Sequence, residues 1–492
     1  MTQSKTLTRQ LGLVGLTATG ICSMIGASIY VVPFMIQRNV PGIGPYVLPA
    51  FLFAALPAIL AALAYTILSS AMPRAGGSYI YTSRSLHPYL GFVASFSQWF
   101  GLSIVIGVIS YVVVPFFRDV ASALEWTKLA SLLEINWIRV GLSLALLWSF
   151  VYVNIRGARW YEKTLIPLMI LMFGLGGVVI AAGLSFDQTD FAAALLTKEG
   201  RVIVPAEGIF DWKTFFSAAA LLFSSFIGFD SIAQAGGEAK NPTQNLPRAI
   251  GLAILIVSLF YISFTYAVYH AVPWNFVAEE AASKDITAAG ILSYLLPPGL
   301  GILILLGAAI ALLNDLPAMI LSVSRLIFSW AEDGIFPRKL SAIHEVHHTP
   351  HQAILMSGLM ASIGILGSHF AGDFFLGIDI MVTSMLVNFL LMCLSVWFLP
   401  HHNPSIASQI KIFKSRKIQR IISISGSLIL SGFLVIHVAK DLNSTVSEWY
   451  FHSTPIWLIV MSLASLLFWF QWKKLKTAGV DTQTLFSKLP QE

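Results

Sequence analysis

Apolar residues gather along this chain into twelve runs separated by polar loops, most of them close to the ~20 residues that cross a bilayer. The runs fall near residues 11–36, 45–71, 88–117, 138–154, 164–184, 213–237, 249–271, 297–329, 351–370, 375–399, 419–439 and 453–472. The third and eighth are long, about 30 residues each, so they must tilt or project from the bilayer. Two runs are interrupted midway by small and polar residues. One interruption reads Ser23-Met24-Ile25-Gly26-Ala27-Ser28 and the other Ser225-Phe226-Ile227-Gly228-Phe229-Asp230. Such residues weaken a helix, and unpaired backbone at that depth is tolerable only where it is buried in protein or lines a cavity.

Grouping the runs explains their positions. If residues 11–184 (runs 1–5) and 213–399 (runs 6–10) are two repeats, each repeat begins with an interrupted run. The long run is then third in each. An odd number of spans per repeat forces opposite topologies, which is the inverted-repeat plan, and matching interruptions then point to a binding site at the midplane. Runs 11 and 12 (419–472) lie outside the repeat, after a polar linker from His401 to Lys417. The polar N-terminus (1–10) lacks a cleavable signal pattern, and residues 473–492 form a polar tail. The expected fold is an all-α membrane protein of twelve transmembrane helices, with a 5+5 inverted repeat, broken first and sixth helices, and two extra helices.

Composition agrees with that reading. The chain is 56% hydrophobic and only 11% charged, against roughly 25% charged in soluble domains; its mean hydropathy is +0.77. Cys22 and Cys393 both sit in apolar runs and imply no disulfide framework. The net charge of +6 follows topology rather than a nucleic-acid surface. One set of alternate loops holds Arg74, Arg84, Arg156, Lys240, Arg338, the cluster from Lys411 to Arg420, and Lys473, Lys474 and Lys476. The other set is rich in acids, among them Asp119, Glu134, Asp187, Glu207, Asp211, Glu279 and Glu280. The positive-inside rule puts the base-rich set and both termini in the cytoplasm. The expected location is the plasma membrane, a bacterial inner membrane in particular, with the lipid bilayer as a partner.

Chemistry concentrates at the interruptions. A helix that restarts after Ser23–Ala27 aims free N–H groups and the positive end of its dipole at an anion. A half-helix that ends there leaves carbonyls able to hold an ammonium group. One cavity with both sites fits a zwitterionic amino acid, while two kinked, packed helices would need no ligand at all. Three acids lie at membrane depth, Asp230, Asp315 and Asp379, where a charge costs at least about 2.5 kcal/mol and calls for a function. Asp230 adjoins the second interruption, where capping of the following half-helix competes with ligand contact. Asp379 lies about one turn inside the end of its run and reads as interfacial. Asp315 is the deepest. His344-Glu345-Val346-His347-His348 satisfies the zinc-protease pattern H-E-x-x-H, which needs both histidines on one helix face. Flanking Pro337 and Pro350 disfavour a helix there, so a solvated His-rich loop is expected. No phosphate loop, nucleophile elbow, metal site or cofactor site is apparent.

Four motifs carry a family resemblance. Phe226 to Asp230, with Gly237 to Pro242 and Leu246 to Ile250, resembles the sixth span and following loop of the amino acid–polyamine–organocation (APC) superfamily, in its cationic-amino-acid and bacterial amino-acid permease branch. Met72 to Tyr79 resembles that family's P-x-A-G-G-x-Y loop. Ser324-Arg325-Leu326 and Ala331 to Pro337 resemble the end of its eighth span. The resemblance covers about residues 8–400 and implies substrate backbone contacts at Met24, Gly26, Ala27 and Ser28, and along Phe223, Ser224, Ser225 and Phe226. It also implies an aromatic wall or gate at Phe229. Two departures stand out. Where the family reads G-[ST]-G-[IV]-F, Gly26 is followed here by Ala27-Ser28-Ile29-Tyr30, so Ser28 narrows the site and adds a hydroxyl. Some proton-coupled relatives carry a lysine about 18 residues after an N-x-x-G motif; counting on from Asn154 lands on Met172.

The resemblance implies a secondary active transporter of amino acids that works by alternating access, as a proton- or sodium-coupled symporter or an exchanger. Asp315 and Asp230 are the coupling or gating candidates, with H+ or Na+ as the coupling ion. Phe223, Phe229 and Met319 as walls suggest a neutral or apolar side chain. Rival readings are a polyamine or amine antiporter, a transport-dead amino-acid sensor, and an integral membrane metalloprotease built on the His-rich loop.

Overall fold

A computed structural model describes residues 7–26, 28–204, 206–284, 286–371, 374–444 and 449–490. Twelve helices among them are long and apolar enough to cross a membrane. They run Leu13–Asn39, Gly44–Ala71, Pro88–Ala123, Asn136–Ile155, Ala158–Ser185, Trp212–Gln234, Pro242–Ala271, Gly299–Glu332, His351–Phe370, Leu376–His402, Arg416–Leu442 and Ser453–Thr477, and are called the first to twelfth spans. The third and eighth are the longest, 36 and 34 residues. The third packs against the eighth, ninth and tenth, and glycine makes the closest of these approaches possible. A Cβ on Gly107 would meet the Ala361 carbonyl of the ninth span at 2.5 Å. Small residues at such crossings let helix backbones touch where lipid offers no hydrophobic drive.

Both expected breaks are present. The first span is helical over Leu13–Met24, leaves the helix at Ile25 and resumes over Ser28–Asn39. The sixth is helical over Trp212–Leu222, tightens to a 3-10 turn over Phe223–Phe226, and becomes extended at Ile227 (φ −78°, ψ 134°). Gly228 comes next with φ +134°, a conformation that L side chains rarely adopt. The two breaks cross here: a Cβ on Gly228 would lie 2.1 Å from the Ser23 carbonyl oxygen. The Ser23 and Ser231 hydroxyls hydrogen-bond at 2.8 Å beside the crossing.

Beyond the second break the expected half-helix is short. The chain makes one turn over Ser231–Gln234 and a 3-10 turn over Gly236–Glu238. So short a segment has little dipole to offer an anion. Asp230 does not cap it through its side chain either. Its carboxylate turns back to accept from the Gly228 N–H (3.2 Å), while backbone carbonyls of residues 228–230 take the next N–H groups.

One side of the bundle is sealed. Gln10 and Leu11 N–H donate to the Glu238 carbonyl (2.8 and 2.9 Å), and Lys240 N–H returns to Leu11 (2.8 Å). Gly76 N–H reaches the Gln234 carbonyl at 3.2 Å. Two buried ion pairs reinforce the seal: Arg325 to Glu238 at 2.6 Å, and Arg84 to Asp333 through two bonds of 2.5 and 2.9 Å. These groups belong to the base-rich end of the molecule.

Candidate functional site: a cavity at the crossed breaks

On the other side of the breaks the bundle opens into a cavity of about 440 Å³. Its floor is Ser23, Met24, Gly26 and Ser28 of the first break with Ser224 and Ile227 of the sixth. Its walls are aliphatic: Val31, Val32 and Met35 from the first span, Val105, Val108, Ile109 and Val112 from the third, Leu312 and Met319 from the eighth, Ile378 and Met381 from the tenth. Phe116, Arg118, Asp119, Arg139 and Thr287 stand at its mouth. The mouth therefore faces the end of the bundle opposite the sealed, base-rich one.

Asp315 is an ionisable group at the cavity floor. It is 4% exposed, and its Oδ1 has no hydrogen-bond partner among the described residues. A Cβ on Gly26 would sit 2.5 Å from its Oδ2, so the missing side chain at Gly26 is what admits the carboxylate to the break. The neighbouring Asn314 amide donates to Cys22 Sγ (2.9 Å) and lies 3.9 Å from Met172 Sδ. Met172 of the fifth span thus lies beside the Asn314–Asp315 pair. The Pro317 carbonyl accepts from Asn154 Nδ2 (3.2 Å), not from Asp315.

Of the residues singled out in the sequence, Met24, Gly26, Ser28, Ser224, Met319 and Asp315 line the cavity. Ala27 lies outside the described residues. Phe223, Ser225, Phe226, Phe229 and Asp230 do not line it. Phe229, expected as a wall, stacks on Phe389 (ring centroids 5.0 Å) and meets Tyr65 edge-on at 5.7 Å. Phe226 packs on Phe51 and Tyr261, and Phe223 on Phe389 and Phe433. The extended residue Ile227 turns the chain at the break, so Ile227 faces the cavity and its aromatic neighbours face the helices behind. Asp379 is half-buried, and its carbonyl pairs with the His437 ring at 3.2 Å.

Other contributors to the site carry no sequence motif. The Tyr261 hydroxyl of the seventh span donates to the Met24 carbonyl at 2.5 Å and pins the first break. Behind the sixth break, Gln98 Nε2 donates to the Asp230 carboxylate. Gln98 Oε1 accepts from Gln234 (3.2 Å) and Asn388 (3.4 Å), and Ser78 joins Gln234 (2.7 Å) to Tyr65 (2.6 Å). A glutamine in the middle of an apolar run was the available signal, because buried polar groups need partners. The His-rich loop forms no metal centre: His344 to His348 is a turn rather than a helix, and no group of three or more His, Cys, Asp or Glu among the described residues is placed to hold a metal.

Two substitutions separate the cavity from the packing behind it. Gly26→Val forces a branched side chain against Asp315 and should abolish uptake while membrane expression stays near normal; unchanged substrate affinity would remove the first break from the mechanism. Phe229→Ala should instead lower the melting temperature, since truncating a buried Phe costs about 3–5 kcal/mol. Its substrate profile should stay that of the parent, and a broadened profile would return Phe229 to the cavity wall.

Comparison with known proteins agrees with this architecture. Residues 11–464 match the family described as amino acid permease. The branched-chain amino acid permease BcaP of Bacillus subtilis is 25% identical over 374 residues, 74% of this chain and 75% of that protein. Cationic amino acid transporter 4 of Mus musculus is 26% identical over 73% of this chain, which spans 55% of that longer protein. The methylthioribose transporter of B. subtilis is 23% identical over 74% of this chain and 76% of its own length. These relatives are transporters and permeases, which sets the membrane-enzyme reading aside. With a match over nearly its whole length, crossed breaks in the first and sixth spans and a cavity at their junction, the chain belongs to the amino acid permease family.

Proposed function

We propose that this permease carries an amino acid with an aliphatic side chain across the plasma membrane by alternating access, with the base-rich end and both termini in the cytoplasm. The observation that carries the substrate class is the cavity wall. Valine, isoleucine, leucine and methionine from four spans surround the floor, and among the described residues no aromatic or ionisable side chain lines the cavity between Asp315 and the mouth. A branched apolar side chain buried there gains about 0.8 kcal/mol per CH₂. BcaP, named a branched-chain amino acid permease, is consistent with this choice. In the proposed orientation the cavity opens outward and the seal of Arg84, Asp333, Arg325 and Glu238 closes the cytoplasmic side.

A second reading has one observation behind it. Among the described residues the floor holds the Asp315 carboxyl group and no cationic side chain, so an amine lacking a carboxyl group would also find a partner there. A thermal-shift panel decides between them with leucine, isoleucine, valine, charged amino acids, polyamines and methylthioribose. A ligand at 100 times its Kd stabilises the protein by about 2.7 kcal/mol. Shifts from branched-chain amino acids are expected; shifts from polyamines alone would favour the antiporter. Counterflow of the shifting ligand in proteoliposomes then distinguishes a carrier from a sensor.

Asp315 is the proposed coupling group. The position at which some proton-coupled relatives carry a fifth-span lysine is Met172, and Met172 stands next to Asn314, the chain neighbour of Asp315. An ionisable group on the eighth span would then serve where one on the fifth is missing. A carboxylate desolvated at the break is worth keeping only if a cation, H+ or Na+, joins it for part of the cycle. Asp315→Asn is isosteric and cannot cycle its charge. It should abolish accumulation driven by a pH or sodium gradient yet spare exchange of labelled for unlabelled substrate. Persistence of gradient-driven accumulation would return Asp315 to a structural role.

A further inference from the structure

The chain after the twelfth span folds back onto the base-rich seal. Gly479 takes φ +75°, and Val480 N–H pairs with the Leu475 carbonyl (3.2 Å), so the chain reverses directly below the membrane helix. Asp481 then caps a short helix, Thr482–Ser487, by accepting from the N–H groups of Gln483 (3.0 Å) and Thr484 (3.2 Å). This helix drives Phe486, only 7% exposed, between the Trp472 ring (centroids 5.6 Å) and the Arg84 guanidinium (4.8 Å).

The contacts of Arg84 give the docking its meaning. Its two terminal nitrogens hold Asp333, while its Nε donates to the Lys488 carbonyl at 3.2 Å. One planar fork thus binds the end of the eighth span and the tail together. Arg74 Nε donates to the Pro490 carbonyl (2.9 Å), and Asn403, just past the tenth span, donates to the Ser487 carbonyl (3.0 Å). The tail therefore ties the loop after the second span, the end of the eighth and the end of the tenth. With the tail in place the Arg84 and Asp333 side chains are 0% and 2% exposed. An ion pair exposed to water contributes little, whereas one shut away from it is costly to break by separating its partners.

We propose that the C-terminal segment 481–490 is an autoinhibitory latch that holds the base-rich side closed through Arg84. The proposal rests on the reading of that side as the cytoplasmic gate of a transporter. Opening it requires Arg84 to leave Asp333, and the tail both covers that pair and engages the third guanidinium nitrogen. Release of the tail lowers the barrier to opening and speeds the carrier without touching the substrate cavity, from which every tail residue is remote in the fold.

The test uses counterflow of the ligand identified by thermal shift, in proteoliposomes of the full-length protein. Three variants are compared with it: a chain ending at Val480, Phe486→Ala, and a double variant Asn403→Cys with Ser487→Cys bridged by a short bis-maleimide. Truncation and Phe486→Ala should raise the initial exchange rate about fivefold at unchanged external affinity, the order expected when a shielded ion pair becomes an exposed one. Bridging should stop exchange, with the parent protein unaffected by the reagent because Cys22 and Cys393 are buried. A rate unchanged or lowered in both released variants, or full-rate exchange by the bridged protein, overturns the latch. Absence of counterflow in the parent protein and in both released variants would overturn the transport reading instead, so the two failures are distinct. Should the truncated chain fail to fold, Phe486→Ala and the bridged protein decide the matter alone.

Discussion

The bilayer interior offers no water to an unpaired peptide group, and the rest of this structure depends on how two breaks in its helices survive there. Each break is buried against the other. Gly228 presses on the Ser23 carbonyl, closer than any side chain would allow, and the serine hydroxyls at positions 23 and 231 pair beside it. Tyr261 takes the Met24 carbonyl, and the Asp230 carboxylate takes the Gly228 N–H. Unwound backbone is thereby satisfied on one face by protein, leaving the other face to line a cavity.

That arrangement gives the molecule two unlike ends. Toward one, the aliphatic cavity opens between the first, third, eighth and tenth spans. Toward the other, the chain after the sixth span pairs backbone to backbone with the segment before the first, Arg325–Glu238 locks that chain to the eighth span, and Arg84–Asp333 locks the segment after the second span to the eighth's end. Buried pairs of this kind contribute little net stability compared with apolar packing, but they are costly to break by removing one partner. They suit a closure that must be definite while it lasts. The break, the seal and the docked segment 481–490 form one connected assembly, because Gln234 and Ser78 link the sixth break to the short helix Gly77–Ser85 that carries Arg84.

The cavity combines a surface that selects apolar substance with a single carboxylate at its floor. These features act on different parts of a ligand or on different ligands. Aliphatic walls reward burial of hydrocarbon without regard to direction. Asp315 rewards only positive charge, and its proximity to Gly26 places that charge at the break itself.

The number of spans, the two breaks, the long third and eighth helices and the contrast between base-rich and acid-rich loops were all legible in the sequence. Lipid makes hydropathy nearly a one-dimensional code, since a segment either satisfies its own backbone or shows the small and polar residues that betray a break. Asp315, Gly26 and Ser28, which line the cavity, stood out for the same reason: polar or small residues at that depth are conspicuous. Which side chains at a break face the cavity was not legible, because the chain leaves helical geometry there and spacing no longer fixes direction. Phe229 and Phe226 therefore pack against the helices behind, while Ile227 faces the cavity. Gln98, Tyr261 and the docking of Phe486 depended on partners 132, 237 and some four hundred residues away. Only the packed bundle brings such residues together, and only there does a desolvated carboxylate or guanidinium select its partner.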